Sequence, residues 1–198
     1  MLFESLQLAG AVLVRLDRHE DERGFFARTV CAEEFRARGL PDTFVQSSTS
    51  WNRRRGTLRG LHFQWPPSHE GKLVRCVRGA ICDVLLDLRP AQPTYLQHQA
   101  VTLDDDNREA VFVPAGVAHG FQTLADSTEV LYQMSDVHLP ALAGGVRWND
   151  ASFGIRWPLS GDIVIAERDA SWPDFARGDF EAELARRSAA PGAEASWT

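Results

Sequence analysis

Residues able to do chemistry gather first in Arg59-Gly-Leu-His62-Phe-Gln64, followed by Lys72. Side chains two apart on a strand share a face, so Gly60, His62 and Gln64 are expected on one side and Arg59, Leu61 and Phe63 on the other. A histidine, with a reference pKa of about 6.5, can take a proton at neutral pH, and a nearby lysine can hold a developing oxyanion. A second cluster is Pro114-Ala-Gly116-Val-Ala-His119, on the tail of an apolar run, where a tight turn aims His119 into whatever the sheet encloses. Tyr132, in Thr128-Glu-Val-Leu-Tyr132-Gln-Met, adds a phenol titrating at about 10, suited to returning a proton to a carbanion or enolate. Base, phenol and lysine together suit proton abstraction next to a ketone. If the base and the phenol sit on opposite sides of a bound carbon, the centre is inverted.

Each residue also has a plain structural use. A lone histidine is commonly a hydrogen-bonded core residue, and a tyrosine on a strand is commonly core. Asp169, ending the packed segment Ile163-Val-Ile-Ala-Glu-Arg-Asp169, could cap a turn. Asp83 competes with it as a partner for either histidine, and spacing alone leaves both assignments open. Asp83 and Asp87 share a face of Asp83-Val-Leu-Leu-Asp87, so either they meet solvent or at least one supports a site, because buried carboxylates need partners.

The elements that must position these groups are mostly strands. Residues 7–16 form an early strand, Thr43 to Ser50 a second, and Thr128 to Met134 another, while Gln97 to Leu103 resumes the sheet after Pro90 to Thr94. The runs on either side of Gly79, from Lys72 to Leu88, have the pattern of a hairpin. Val146 to Asp150 and Phe153 to Pro158 are expected to complete the sheet region. Helices are expected only at Ala32 to Arg38, stopped by Gly39 and Pro41, and at Asp179 to Arg187. Asp104-Asp-Asp-Asn107 is an acidic turn, and Arg53-Arg54-Arg55 a solvated basic loop. Arg23-Gly-Phe-Phe26 pairs cation and aromatic around a glycine, which suits either a phosphate and ring-stacking surface or a turn into an amphipathic strand.

With 198 residues, 44% of them hydrophobic, the chain can bury one full core, and residues 1–185 are expected as a single domain with 186–198 as a flexible tail. A net charge of -6 argues against nucleic acid as partner, although a local arginine cluster can still receive phosphate. Cys31, Cys76 and Cys82 make neither a disulfide framework nor a zinc knuckle, and a reducing cytoplasm fits them. No stretch approaches the roughly 18 apolar residues of a membrane helix, and no secretion signal opens the chain.

The Pro-x-Gly-x-x-His segment is similar to the second half of the cupin signature, which implies a mostly β chain: a cupin-like double-stranded β-helix or jelly-roll barrel with a few short peripheral helices. Metal cupins pair two histidines two residues apart, and here the partner of His62 is Gln64, a poor ligand for transition metals. His62 and His119, even with Glu70, leave a metal site incomplete, so no metal and no cofactor are expected, and a metal-dependent cupin enzyme remains the distant alternative.

Taken together, Asp21-Glu-Arg23-Gly-Phe-Phe26, Arg59-Gly-Leu-His62-Phe-Gln64, Gly71-Lys72-Leu-Val, Asp83-Val-Leu-Leu-Asp87-Leu-Arg, Pro114 to Phe121, Trp148-Asn-Asp and Trp157-Pro resemble the dTDP-4-dehydrorhamnose 3,5-epimerase family. The resemblance implies His62 as base, oriented by Asp169, with Tyr132 as proton donor and Lys72 at the sugar ketone. It places Arg59 and His119 nearby. It also implies that Arg23 and Phe26 reach into a neighbouring subunit's pocket, with Gln46, to hold the diphosphate and thymine, and hence a homodimer acting on a nucleotide-diphosphate sugar. Several positions depart from the family pattern: Ser48 stands for an asparagine, Gln133 for a lysine and His138 for a tyrosine, and Pro140 to Gly144 lacks a glutamate. These alter the rim of the sugar pocket. The expected activity is inversion at carbons 3 and 5 of a 4-keto-6-deoxyhexose, with inversion at carbon 3 alone as the alternative.

Overall fold

Short runs of Val, Leu, Ile and Phe, each stopped by glycine, proline or a polar cluster, are too brief for a helical period and pair as strands instead. A computed structural model describes residues 1–189 and Trp197. In chain order these residues form β1 (Leu2–Ser5), β2 (Val12–Arg15), β3 (His19–Asp21), β4 (Gly24–Phe26), α1 (Ala32–Arg36), β5 (Gln46–Asn52), β6 (Thr57–Gln64), β7 (Lys72–Arg78) and β8 (Ala80–Asp87). There follow β9 (His98–Asp104), β10 (Ala110–Val113), β11 (Val117–Thr123), β12 (Thr128–Met134), β13 (Ala143–Gly145), β14 (Val164–Ile165), α2 (Glu167–Ala170) and α3 (Arg177–Ser188).

Two sheets face each other as a jelly-roll sandwich, as expected. One runs β1-β2-β10-β7-β12-β5, the other β13-β6-β11-β8-β9 with β14 added in parallel to β6, and β3 and β4 pair apart as a small hairpin. The core between the sheets draws Val74, Cys76, Val111 and Val130 from the first and Ile81, Leu85, Leu103 and Phe121 from the second. Outside the second sheet, α3 lays Phe180 and Leu184 against Leu61, Phe63, Val84 and Leu86. Outside the first, α1 lays Phe35 against Leu73, Ala110 and Phe112.

Five expectations change. The runs flanking Gly79 are not a hairpin: β7 pairs with β10 and β12, and β8 with β11 and β9. A single linking residue cannot make a two-residue hairpin turn, so at Gly79 (φ +76°) the chain passes from one sheet to the other. The early strand is shorter, since residues 7–10 turn, and Leu2–Ser5 pairs with Val12–Arg15 instead. Residues 146–158 hold no strand, because Asp150 caps turns by accepting from the Ser152 N–H at 2.8 Å and the Phe175 N–H at 2.7 Å, while Trp157 donates to the Trp148 carbonyl. Of the tail expected at 186–198, residues 186–188 continue α3, Trp197 is buried with its ring 5.7 Å from Phe63, and 190–196 and 198 lie outside the described residues.

The fifth change reaches the site. Along β6, Leu61 and Phe63 face outward as expected, yet Arg59 turns inward with His62 rather than away from it. The pairing explains this: His62 lies opposite His119 and Arg59 opposite Phe121, so three steps on β6 match two on β11. The extra residue is a β-bulge at Gly60, which re-aims the side chain before it. Only glycine fits here, since φ is +117° and a Cβ would lie 2.5 Å from the Gly120 Cα and 2.7 Å from the His119 carbonyl oxygen. Gly60→Ala should therefore lose about 3 kcal/mol or more of stability. Urea unfolding checks this, and an unchanged midpoint would show that the bulge tolerates a side chain.

Candidate active site

His62 stands on β6 with its Nε2 at 2.7 Å from Asp169 Oδ1, and the other carboxylate oxygen of Asp169 accepts the Gly60 N–H at 3.1 Å. Asp169 comes from α2, which the chain reaches only after β14 has paired alongside β6. Burial would raise its carboxyl pKa, but the hydrogen bond and charge of His62 and the Gly60 N–H outweigh burial and hold it below the usual carboxylate range. With Nε2–H given to the carboxylate, the ring's lone pair is left on Nδ1.

Asp83 serves the other histidine. Its Oδ2 lies 2.8 Å from His119 Nε2, while Oδ1 is buried with no hydrogen-bond partner among the described residues. The competition between Asp83 and Asp169 thus resolves into one carboxylate per histidine. Asp87 faces inward too and is satisfied structurally, by the Arg89 guanidinium and the Thr94 hydroxyl.

Tyr132 projects from β12, on the sheet opposite His62, and its ring meets that of His119 edge-on at 6.0 Å between centroids. Burial pushes the phenol well above its ordinary pKa, the Asp83 carboxylate pushes the same way, and the Arg59 guanidinium partly opposes them. The hydroxyl therefore carries its proton throughout the neutral range. Lys72, on β7 next to β12, donates to the Glu70 carboxylate.

Two adjoining cavities, of about 550 and 260 Å³, share His62, Lys72 and Tyr132 in their walls. The larger is also lined by Gln46, Ser48 and His138, and the smaller by Arg59, His119 and Asp169. Arg59 is fixed by its Nε–H bond of 2.8 Å to Asn52 Oδ1, and Gln46 Oε1 accepts the His138 N–H at 2.7 Å. Arg23 and Phe26 are not brought to these cavities. They stand on the β3–β4 hairpin, where Phe26 is 75% exposed and Arg23, among the described residues, pairs only with its neighbour Asp21.

Gln64, the residue a metal cupin would replace with a ligand, is spent on the wall. Its Nε2 donates to Ser68 Oγ and the Val137 carbonyl, and its Oε1 accepts the Leu139 N–H. With both histidines turned to carboxylates and Gln64 committed to loops, the donor set does not fit a transition metal. Two lining residues escaped the sequence argument. Arg168 sits beside Asp169, in a segment whose pattern points only to its terminal acid, and the metal-ligand reading of Glu70 hides that the spacing Glu70-x-Lys72 is itself a signal for an ion pair.

A base on one sheet and a phenol on the other, sharing one void with a lysine, can remove a proton from one face of a bound carbon and return one to the opposite face. The family profile of dTDP-4-dehydrorhamnose 3,5-epimerase matches residues 5–177. The dTDP-4-dehydrorhamnose 3,5-epimerase of Methanothermobacter thermautotrophicus is 41% identical over 172 residues, covering 86% of this chain and 92% of that protein. The crystal structure of dTDP-6-deoxy-D-glucose-3,5-epimerase from Legionella pneumophila, in complex with dTDP-4-keto-L-rhamnose, superposes with a TM-score of 0.84 at 30% identity, covering 92% of this chain and 96% of that one. ChmJ, a 3'-monoepimerase from Streptomyces bikiniensis in complex with dTDP-quinovose, superposes with a TM-score of 0.83 at 30% identity, covering 90% of each chain. The match spans both sheets and every strand that carries a cavity residue, and the chain belongs to the dTDP-4-dehydrorhamnose 3,5-epimerase family.

Proposed function

We propose that this chain epimerises carbon 3 and carbon 5 of a dTDP-4-keto-6-deoxyhexose, acting as a cofactor-independent isomerase. The observation that carries the assignment is that His62 and Tyr132 come from opposite sheets and line the same two cavities together with Lys72. A 4-ketone acidifies the hydrogens at both neighbouring carbons. His62, oriented by Asp169, takes the proton through its free ring nitrogen, and the charge that develops on the ketone oxygen is met by the Lys72 ammonium. Tyr132 then protonates the other face. Its raised pKa does not prevent this, because an enolate carbon is far more basic than a phenolate. His119 and Arg59 bound the smaller cavity around the ring. Proton NMR of dTDP-4-keto-6-deoxyglucose incubated with the protein should show both centres inverted, and unchanged substrate would refute the assignment.

Inversion at carbon 3 alone is the second reading. It is favoured by Ser48 and His138, which line the larger cavity where the family pattern has larger or more polar groups. The fold does not separate the two, since a 3'-monoepimerase superposes as well as a 3,5-epimerase.

The exposed β3–β4 hairpin supports a homodimer in which Arg23 and Phe26 complete the partner's pocket, with the guanidinium on the diphosphate and the ring on the base. Residues 1–185 act as one catalytic domain, and the three free cysteines, two of them buried, suit a reducing cytoplasm. Among the described residues no helix is long and apolar enough to cross a membrane. Arg23→Ala should raise KM by about tenfold and leave kcat within about threefold. Refolding equal amounts of Arg23→Ala and His62→Ala chains together and assaying well below KM should restore about a quarter of the wild-type sites, because a mixed dimer holds one intact pocket only if Arg23 serves its neighbour. No recovery would place Arg23 in its own chain's site.

A further inference from the structure

Lys72 is the only lysine among the 21 lysine and arginine residues of the chain. At every other basic position an arginine serves, so the compact, mobile ammonium is kept where a single point charge must reach an oxygen. Its side chain is only 15% exposed. Facing it across the two cavities are Arg59 and His62 from β6, His119 from β11, Tyr132 from β12, His138 beyond it, and Arg168 and Asp169 from α2. Asp169 is taken by His62 and the Gly60 N–H, and Asp83 lies behind His119. The one carboxylate left for Lys72 is Glu70.

Glu70 is built into the wall. The residue is 7% exposed and lines the larger cavity, and its carboxylate accepts the Lys72 Nζ–H. Its backbone N–H donates to Ser68 Oγ at 3.2 Å, and Ser68 is held in turn by Gln64 Nε2 and by Asp136. A buried carboxylate in a pocket meant for an anion would repel the substrate if it stood alone. Paired with Lys72, it instead offsets the cost of burying the ammonium beside histidines and arginines.

We propose that Glu70 is a positioning residue that holds the Lys72 ammonium charged and aimed at the ketone oxygen of the substrate. The identity of that oxygen rests on the epimerase assignment, whereas the coupling of the two side chains does not. Because the chain has one lysine, biosynthetic labelling with ¹³Cε-lysine gives one signal, whose shift follows the amine's protonation in the free protein. In Glu70→Gln, an isosteric change that keeps a hydrogen-bond acceptor, this titration should move about one pH unit or more below that of wild type. In turnover the same variant should lose about tenfold or more in kcat with KM within about threefold, the loss growing from pH 7 to 9.5, and Glu70→Asp should recover part of it. An unmoved titration would overturn the proposal, as would kcat and KM changing together with a lowered unfolding temperature, the mark of a merely structural residue. A wild-type protein that fails to turn over the sugar would sink the epimerase assignment, and the titration would still decide the pairing.

Discussion

Replacing His62 by alanine should cut epimerisation by about 10³-fold or more and stop solvent deuterium from entering the sugar at carbons 3 and 5, because of the three histidines lining the cavities it alone reaches both and is oriented by Asp169. Of the other two, His119 is buried against Asp83 and His138 lines only the larger cavity, and the phenol of Tyr132 holds its proton too tightly to serve. The fold should survive, since the His62 side chain is 42% exposed and packs in neither of the two cores beside β6. What the variant loses is the partner that keeps the Asp169 carboxyl pKa low. A carboxyl lowered in the folded state contributes stability above its unfolded value of about 3.9, and that contribution disappears as pH falls through the folded value. The variant should therefore be slightly less stable than wild type at pH 7 and converge with it in strong acid. Circular dichroism with urea checks the fold, and mass spectrometry in heavy water checks the exchange. Retained exchange would move the base elsewhere.

Tyr132→Phe separates the two halves of the reaction. The ring keeps its contacts with His119 and Phe121, and only the hydroxyl is lost. His62 can still take a proton, exchange it with solvent and hand a deuteron back to the face it came from. Inversion should fall by about 10²- to 10⁴-fold while deuterium continues to enter with retained configuration. The expected product is labelled starting material, seen as a mass gain with unchanged NMR couplings. Equal loss of exchange and inversion would mean that the phenol is also needed to form the enolate, and undiminished inversion would mean that another donor faces the cavity.

Much of this was legible in the residues. Alternation of apolar and polar residues placed β6, β9 and β12 to within a few positions, and Pro114-x-Gly116-x-x-His119 correctly aimed its histidine inward, because turn chemistry and strand period are local properties. Where the outcome depended on pairing, local pattern failed. The runs about Gly79 look like a hairpin from either side, and only the neighbours β10, β12, β9 and β11 decide that they belong to different sheets. Arg59 was assigned to the wrong face because period-two counting cannot see a bulge, although Gly60 in the middle of a strand was the available hint. Asp83 and Asp169 could not be told apart, since their distances from the histidines are set by sheet order rather than by sequence spacing. Trp148-Asn-Asp150 carries aromatic residues that resemble a strand, but its Asn and Asp make turns. Arg23 and Phe26 lie away from the cavities of their own chain, which no local pattern reveals.

The most direct test of the central claim is to incubate dTDP-4-keto-6-deoxyglucose with the protein in heavy water and count the deuterons fixed on the sugar by mass spectrometry, against a control without protein. A base and an acid on opposite walls, with the sugar presented at each carbon beside the ketone, predict two enzyme-dependent deuterons, at carbons 3 and 5. One deuteron, mapped to carbon 3, would contradict the double inversion and point to Ser48 and His138 as the altered wall, and none would contradict the epimerase itself.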